Sequence, residues 1–139
     1  MLRLVIATII CLMAATSFAA EPGNPEGSDT ITTSSGLKYT CLKEGTGATP
    51  KPTDTVSVNY RGTLPNGREF DSSYKIGRPV ELQLGNVIKC WTEAMQMMKV
   101  GGKARLVCPS NIAYGDEGIV GSIPRYATLI FEVELISIK

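Results

Sequence analysis

Large apolar residues recur beside predicted loop boundaries along this chain. Tyr60 ends a strand, Phe70 adjoins Asp71 at a strand–loop junction, and Val87-Ile88 precedes a helix that opens on Trp91. Tyr114 lies in a long loop and Phe131 just beyond its exit. Each alone reads as core. Together they outline an apolar cleft with a few polar handles, the Asp71 carboxylate and the hydroxyls of Tyr60 and Tyr114. Covalent routes are poorly provided for. The chain has no histidine, which excludes Ser-His-Asp and Cys-His nucleophiles and weakens any transition-metal site. Its cysteines show neither Cys-x-x-Cys nor zinc spacing. Gly101-Gly102 lacks the Lys-Ser/Thr of a phosphate loop and reads as a helix stop. No metal and no cofactor is expected.

The element that must hold this cleft is the stretch from Val87 to Met98. Trp91, Ala94, Met95 and Met98 fall at helical spacing, with one face toward a core. The helix has two to three turns and needs packing to persist. Its tryptophan, the only one in the chain, can bury roughly 150–250 Å². At about 25 cal/mol per Å² that is at most about 4–6 kcal/mol, enough to anchor a core or floor a pocket.

Alternation predicts the strands. Leu37, Tyr39 and Cys41 share a face, as do Val56, Val58 and Tyr60 against Ser57, Asn59 and Arg61. Pro65-Asn66-Gly67 is a tight turn from which Arg68 to Asp71 returns. Val80, Leu82 and Leu84 alternate, then Ala104, Leu106 and Cys108. Leu129, Phe131, Val133 and Leu135 alternate along the strand from Thr128 to Ile138, opposite Glu132 and Glu134. The segment from Pro109 to Tyr126 is a long loop of the kind that usually carries function. The expected class is α+β: about five antiparallel strands with one short helix over the apolar face.

The 139 residues make room for one domain. Residues 1–20 read as a secretory signal peptide, with Arg3 at the start, an apolar run from Leu4 to Met13 and small residues at the end. An exported protein, periplasmic or secreted, is expected, with no membrane attachment after cleavage. Residues 21–35, rich in Pro, Gly, Ser and Thr, read as a flexible leader, and 36–139 as the folded domain. Without residues 1–20 the basic count falls by one, Arg3, and equals the 13 acidic residues. That balance gives no reason to expect nucleic acid or an anionic membrane as partner. Three cysteines remain in the mature chain, so one thiol is left over from any pairing.

The run Val58-Asn59-Tyr60-Arg61-Gly62, then Gly67-x-x-Phe70-Asp71-Ser72-Ser73, Val87-Ile88-x-x-Trp91, Ala113-Tyr114-Gly115, Ile123-Pro124 and Ala127 to Leu135 resembles the FK506-binding-protein class of peptidyl-prolyl isomerases. It is most similar to exported bacterial members, including the macrophage-infectivity-potentiator type. The resemblance covers residues 36–139. It implies a five-stranded antiparallel half-barrel wrapped on a short helix, with proline-containing polypeptides as substrates, FK506- or rapamycin-type macrolides as inhibitors, and no cofactor. It implies Trp91 as pocket floor, Tyr60, Phe70 and Phe131 as aromatic walls, and Val87 and Ile88 as rim. The Ile88 backbone N–H and the Tyr114 hydroxyl would donate to the bound peptide. Asp71 would be a buried carboxylate, and Ile123 would close the far side.

Several positions depart from the family pattern. Val80 is smaller than usual, which would thin one wall. Ile76 replaces a basic partner of the aspartate, leaving either Lys75 or Arg78 as a substitute or Asp71 without a partner. Cys90 replaces a glycine before the tryptophan and would carry strain of about 1–3 kcal/mol if that backbone needs a positive φ. Ser122 replaces an apolar rim residue. By family topology Cys41 lies nearer Ala104 than Cys108, and the sequence leaves open whether any two of Cys41, Cys90 and Cys108 are disulfide-bonded. A dimerising helical arm would need a longer N-terminal segment, so a monomer is expected. A prolyl isomerase is the leading reading. A non-catalytic module holding proline segments in the same cleft is its alternative, and a secreted thiol protein built on the three cysteines is a third.

Overall fold

The computed structural model describes residues 30–139. The predicted signal peptide and residues 21–29 lie outside the described residues. The strands are β1 (Thr30–Thr32), β2 (Lys38–Lys43), β3 (Thr55–Thr63), β4 (Glu69–Ser72), β5 (Val80–Gln83), β6 (Lys103–Cys108) and β7 (Leu129–Ile138). Helix α1 (Ser73–Ile76) lies between β4 and β5, and α2 (Lys89–Met95) between β5 and β6.

All strands pair antiparallel in one sheet of order β1-β2-β6-β7-β3-β4, with β5 also on β3. The alternation read from the sequence holds where the helix needs it. Val56, Val58, Ala104, Leu106, Leu129, Val133 and Leu135 are fully buried. Against them α2 turns Cys90, Trp91, Ala94 and Met95, and Met98 follows just beyond its end. The expected helical face is therefore the face that packs. Thr92 Oγ1 donates to the Leu84 carbonyl at 2.6 Å, fixing the helix to the 3-10 turn Leu84–Asn86 that precedes it.

The sheet has seven strands, not five, for two reasons. β4 and β5 share one edge position: β4 pairs with Arg61–Thr63 and β5 with Thr55–Val58, on the side of β3 opposite β7. Helix α1 interrupts them. The other addition is β1, whose residues 30–32 were expected in an unstructured leader. Its β-branched Thr-Ile-Thr suits a strand, and Thr30 pairs opposite Thr40 with their hydroxyls 2.7 Å apart. Ser35, just beyond, donates to Glu93 on α2 at 2.5 Å. Tertiary contacts thus order a segment whose composition argues against order.

The structure also supplies a cysteine pairing that the sequence leaves open. Cys90 on α2 and Cys108 at the end of β6 are bonded, with Cα atoms 6.0 Å apart. Cys41 does sit opposite Ala104. Cys108 shares the inner face of β6 but lies beneath the helix, so the helix supplies its partner. Cys90 carries no backbone strain: it is helical, and Tyr126 is the only non-glycine residue with positive φ among the described residues.

Candidate functional site

Phe131 is the hub of an aromatic cluster. Its ring stands edge-on to Trp91 (centroids 5.2 Å apart) and to Phe70 (5.6 Å), both at 83°, and tilted to Tyr60 at 6.5 Å. Tyr60 is edge-on to Trp91 at 5.0 Å. Such edge-to-face pairs add to simple burial. Four elements bring the rings together: β3 carries Tyr60, β4 Phe70, α2 Trp91 and β7 Phe131. Phe131 and Trp91 are buried, whereas Tyr60 and Phe70 are half-buried. The cluster therefore has a solid base and accessible walls.

Above it opens a cavity of about 400 Å³. Eight of the nine residues singled out from the sequence line it: Tyr60, Phe70, Asp71, Val87, Ile88, Trp91, Tyr114 and Phe131. Leu82 and Asn86 complete the lining and were not singled out. Leu82 was legible as an inward residue of an alternating strand. Asn86 sits in a turn and left no signal. The wall expected to be thinned by Val80 is instead formed by Leu82, two residues further along β5.

Ile123 does not close this cavity. It is 5% exposed and lines a separate hollow with Arg68 and the exposed Val120. An isolated bridge to Ile119 folds the loop back on itself there, and Arg68 donates to the Ser122 carbonyl at 2.8 Å.

Asp71 departs from its expected environment. Rather than buried, it is exposed, because it lies near the end of an edge strand. Neither Lys75 nor Arg78 pairs with it; no ion pair to it occurs among the described residues. Its Oδ2 accepts from the Tyr60 hydroxyl at 2.5 Å and its Oδ1 from the Ser72 N–H at 2.9 Å. Burial, and next the bond to Asp71, push the Tyr60 phenol far above the ordinary tyrosine range. Burial and the Asp71 charge also raise Tyr114. Both tyrosines are therefore neutral donors at any physiological pH.

Two donors at the rim are uncommitted. The Tyr114 hydroxyl and the Ile88 backbone N–H have no hydrogen-bond partner among the described residues. Ile88 caps α2, where the first N–H groups of a helix lack intrahelical acceptors. The site is thus an apolar, ring-lined hollow with donors at its edge. Among the described residues no His/Cys/Asp/Glu cluster could hold a metal.

A model of the FKBP-type peptidyl-prolyl cis-trans isomerase family matches residues 46–136. The chain belongs to this family. That match runs from before β3 into β7 and includes every lining residue of the cavity. A probable FKBP-type isomerase of Haemophilus influenzae is 50% identical over 114 residues, which are 82% of this chain and 47% of that protein. FkpA of Escherichia coli K12, an FKBP-type peptidyl-prolyl cis-trans isomerase, is 49% identical over 108 residues, 78% of this chain and 40% of FkpA. The chain thus spans less than half the length of these curated relatives. The crystal structure of E. coli FkpA superposes with a TM-score of 0.77 at 41% identity, over 97% of this chain and 60% of that one. A peptidyl-prolyl isomerase from Pseudomonas syringae gives 0.75 at 36%, over 96% and 94%. The FKBP fold is therefore shown, with β1 as an additional edge strand on the five expected positions.

Proposed function

We propose that this protein is a peptidyl-prolyl cis-trans isomerase that binds X-Pro segments in the ring-lined cavity and accelerates their isomerisation without a covalent step. The carrying observation is the convergence of Tyr60, Phe70, Trp91 and Phe131 on one open hollow of about 400 Å³, in a chain of the FKBP family. The barrier to rotation about an X-Pro bond is about 18–20 kcal/mol and arises from amide resonance. The planar amide is the more polar form and water favours it. A twisted amide fits an apolar, water-poor pocket better, so the pocket binds the transition state more tightly than the ground state. The Ile88 N–H and the Tyr114 hydroxyl would hold flanking carbonyls. A 10⁵-fold acceleration needs about 7 kcal/mol, within reach of desolvation, positioning and a few hydrogen bonds.

This reading extends to the protein's setting. Its clients are proline-containing polypeptides, and FK506- or rapamycin-type macrolides compete for the same hollow. The protein acts outside the cytoplasm, periplasmic or secreted. The residue 1–20 pattern and the Cys90–Cys108 bond both support that placement, since disulfides persist in oxidising compartments. The domain, with β1 included, works as a monomer, which a sedimentation measurement tests directly.

A protease-coupled assay on an Ala-Leu-Pro-Phe peptide tests the activity. Acceleration that rapamycin suppresses and that Phe70→Ala removes with the fold intact is the expected result. Peptide binding without acceleration would make the protein a holding module instead.

A further inference from the structure

The edge of β3 has a gap. β4 leaves it at Arg61, opposite Ser72, and β5 joins it at Val58, opposite Val80. Over Asn59 and Tyr60 that edge has no partner strand, yet Tyr60 carries a wall of the pocket. A single buried hydroxyl fills the gap. Ser73, the first residue of α1, is fully buried. Its Oγ accepts from the Tyr60 N–H at 2.9 Å and donates to Asn59 Oδ1 at 2.9 Å.

Two residues away, Asp71 accepts from the Tyr60 hydroxyl. Tyr60 is therefore gripped at both ends by one short turn: its phenol by Asp71, its backbone by Ser73. Ser72 ties the turn together, since its N–H donates to Asp71 Oδ1 and its Oγ caps α1 by accepting from the Tyr74 N–H at 3.0 Å. A buried donor and acceptor left without partners are unfavourable, so loss of the Ser73 hydroxyl forces the β3 backbone to shift toward other partners or water.

We propose that Ser73 is a positioning residue that sets the Tyr60 ring and hydroxyl against Asp71 and the pocket. The inference rests on the isomerase reading. It makes Ser73 act through Tyr60, not on the substrate, and a double-mutant cycle distinguishes that from a general contribution to folding.

The experiment measures kcat/KM on an X-Pro peptide for the wild type, Ser73→Ala, Tyr60→Phe and the double variant, with unfolding midpoints alongside. Ser73→Ala should lower kcat/KM about tenfold, the scale of one or two misplaced hydrogen bonds. In the Tyr60→Phe background the same change should cost clearly less than in the wild type, because the hydroxyl it positions is gone and only the ring is left to misplace. Ser73→Cys, which keeps a weak donor and acceptor in the same space, should recover part of the activity, and it carries the cycle if Ser73→Ala fails to fold. Losses that multiply in the double variant, or wild-type kcat/KM in a folded Ser73→Ala, would overturn the inference. A wild type that does not accelerate isomerisation would instead overturn the isomerase reading itself.

Discussion

A Cβ atom on Gly62 would stand 2.7 Å from Phe70 Cζ and 2.9 Å from Phe131 Cε1. Real Cβ contacts are not that short, so the edge-on meeting of Phe70 and Phe131 depends on the absence of a side chain at position 62. Gly62→Ala should push both rings from their places. Overpacking of this kind costs about 1–3 kcal/mol. The loss should be seen twice, as a lower unfolding midpoint and as a fall of about tenfold or more in kcat/KM. An alanine variant with unchanged turnover would mean that the pocket tolerates displacement of its rings.

The disulfide fastens the helix bearing the pocket floor to the strand beneath it. Cys90 adjoins Trp91, and its partner Cys108 lies 18 residues on. Closing a loop of that size is worth about 3 kcal/mol in the chain-entropy view. Denaturation curves of oxidised and reduced protein should differ by roughly that amount, with the thermal midpoint about 10 °C lower on reduction. Superimposable curves would show that packing of α2 alone holds the floor.

The parts of the fold legible in the sequence were those governed by local periodicity. Trp91, Ala94, Met95 and Met98 declared the buried face of α2, and Leu129 to Leu135 the inner face of β7. Family spacing then located eight of the ten cavity residues. What escaped was decided by pairing between distant segments. Thr30–Thr32 gained order only from an edge of β2, and β4 and β5 became one interrupted edge strand because both find β3. The Cys90–Cys108 bond joins a helix to a strand, a contact that alternation along the strands does not report. Asp71 was misjudged for the same reason: its exposure follows from edge position, not from residue type.

Tyr39 couples stability to alkaline pH. Burial pushes its phenol up to about 12, against about 10 in the unfolded chain. Above pH 10 the unfolded state loses the proton while the folded state keeps it. The Tyr39 contribution is therefore intact below pH 10 and lost as pH rises toward 12. The full shift corresponds to about 3 kcal/mol. Denaturant titrations from pH 9 to 11 should show a decline in stability that Tyr39→Phe reduces. An identical decline in that variant would place the alkaline sensitivity elsewhere.

Tyr114 separates recognition from architecture. Its ring lines the cavity and its hydroxyl bonds to nothing among the described residues. The residue is 39% exposed, so removal of that oxygen leaves no protein group unsatisfied. Tyr114→Phe should therefore leave the unfolding midpoint within about 0.5 kcal/mol of wild type, as for a surface change. If the hydroxyl donates to a carbonyl of the bound peptide, kcat/KM should fall about five- to tenfold, the net value of one hydrogen bond. Tyr60→Phe should behave differently, lowering both stability and turnover, because its hydroxyl is bonded to Asp71 within the protein. Since burial and the Asp71 charge keep Tyr114 protonated beyond the ordinary tyrosine range, its donor should stay intact, and turnover level, from pH 7 to about 10. Equal kcat/KM for Tyr114→Phe and wild type would remove the hydroxyl from the binding scheme and leave the Ile88 N–H as the donor at the rim.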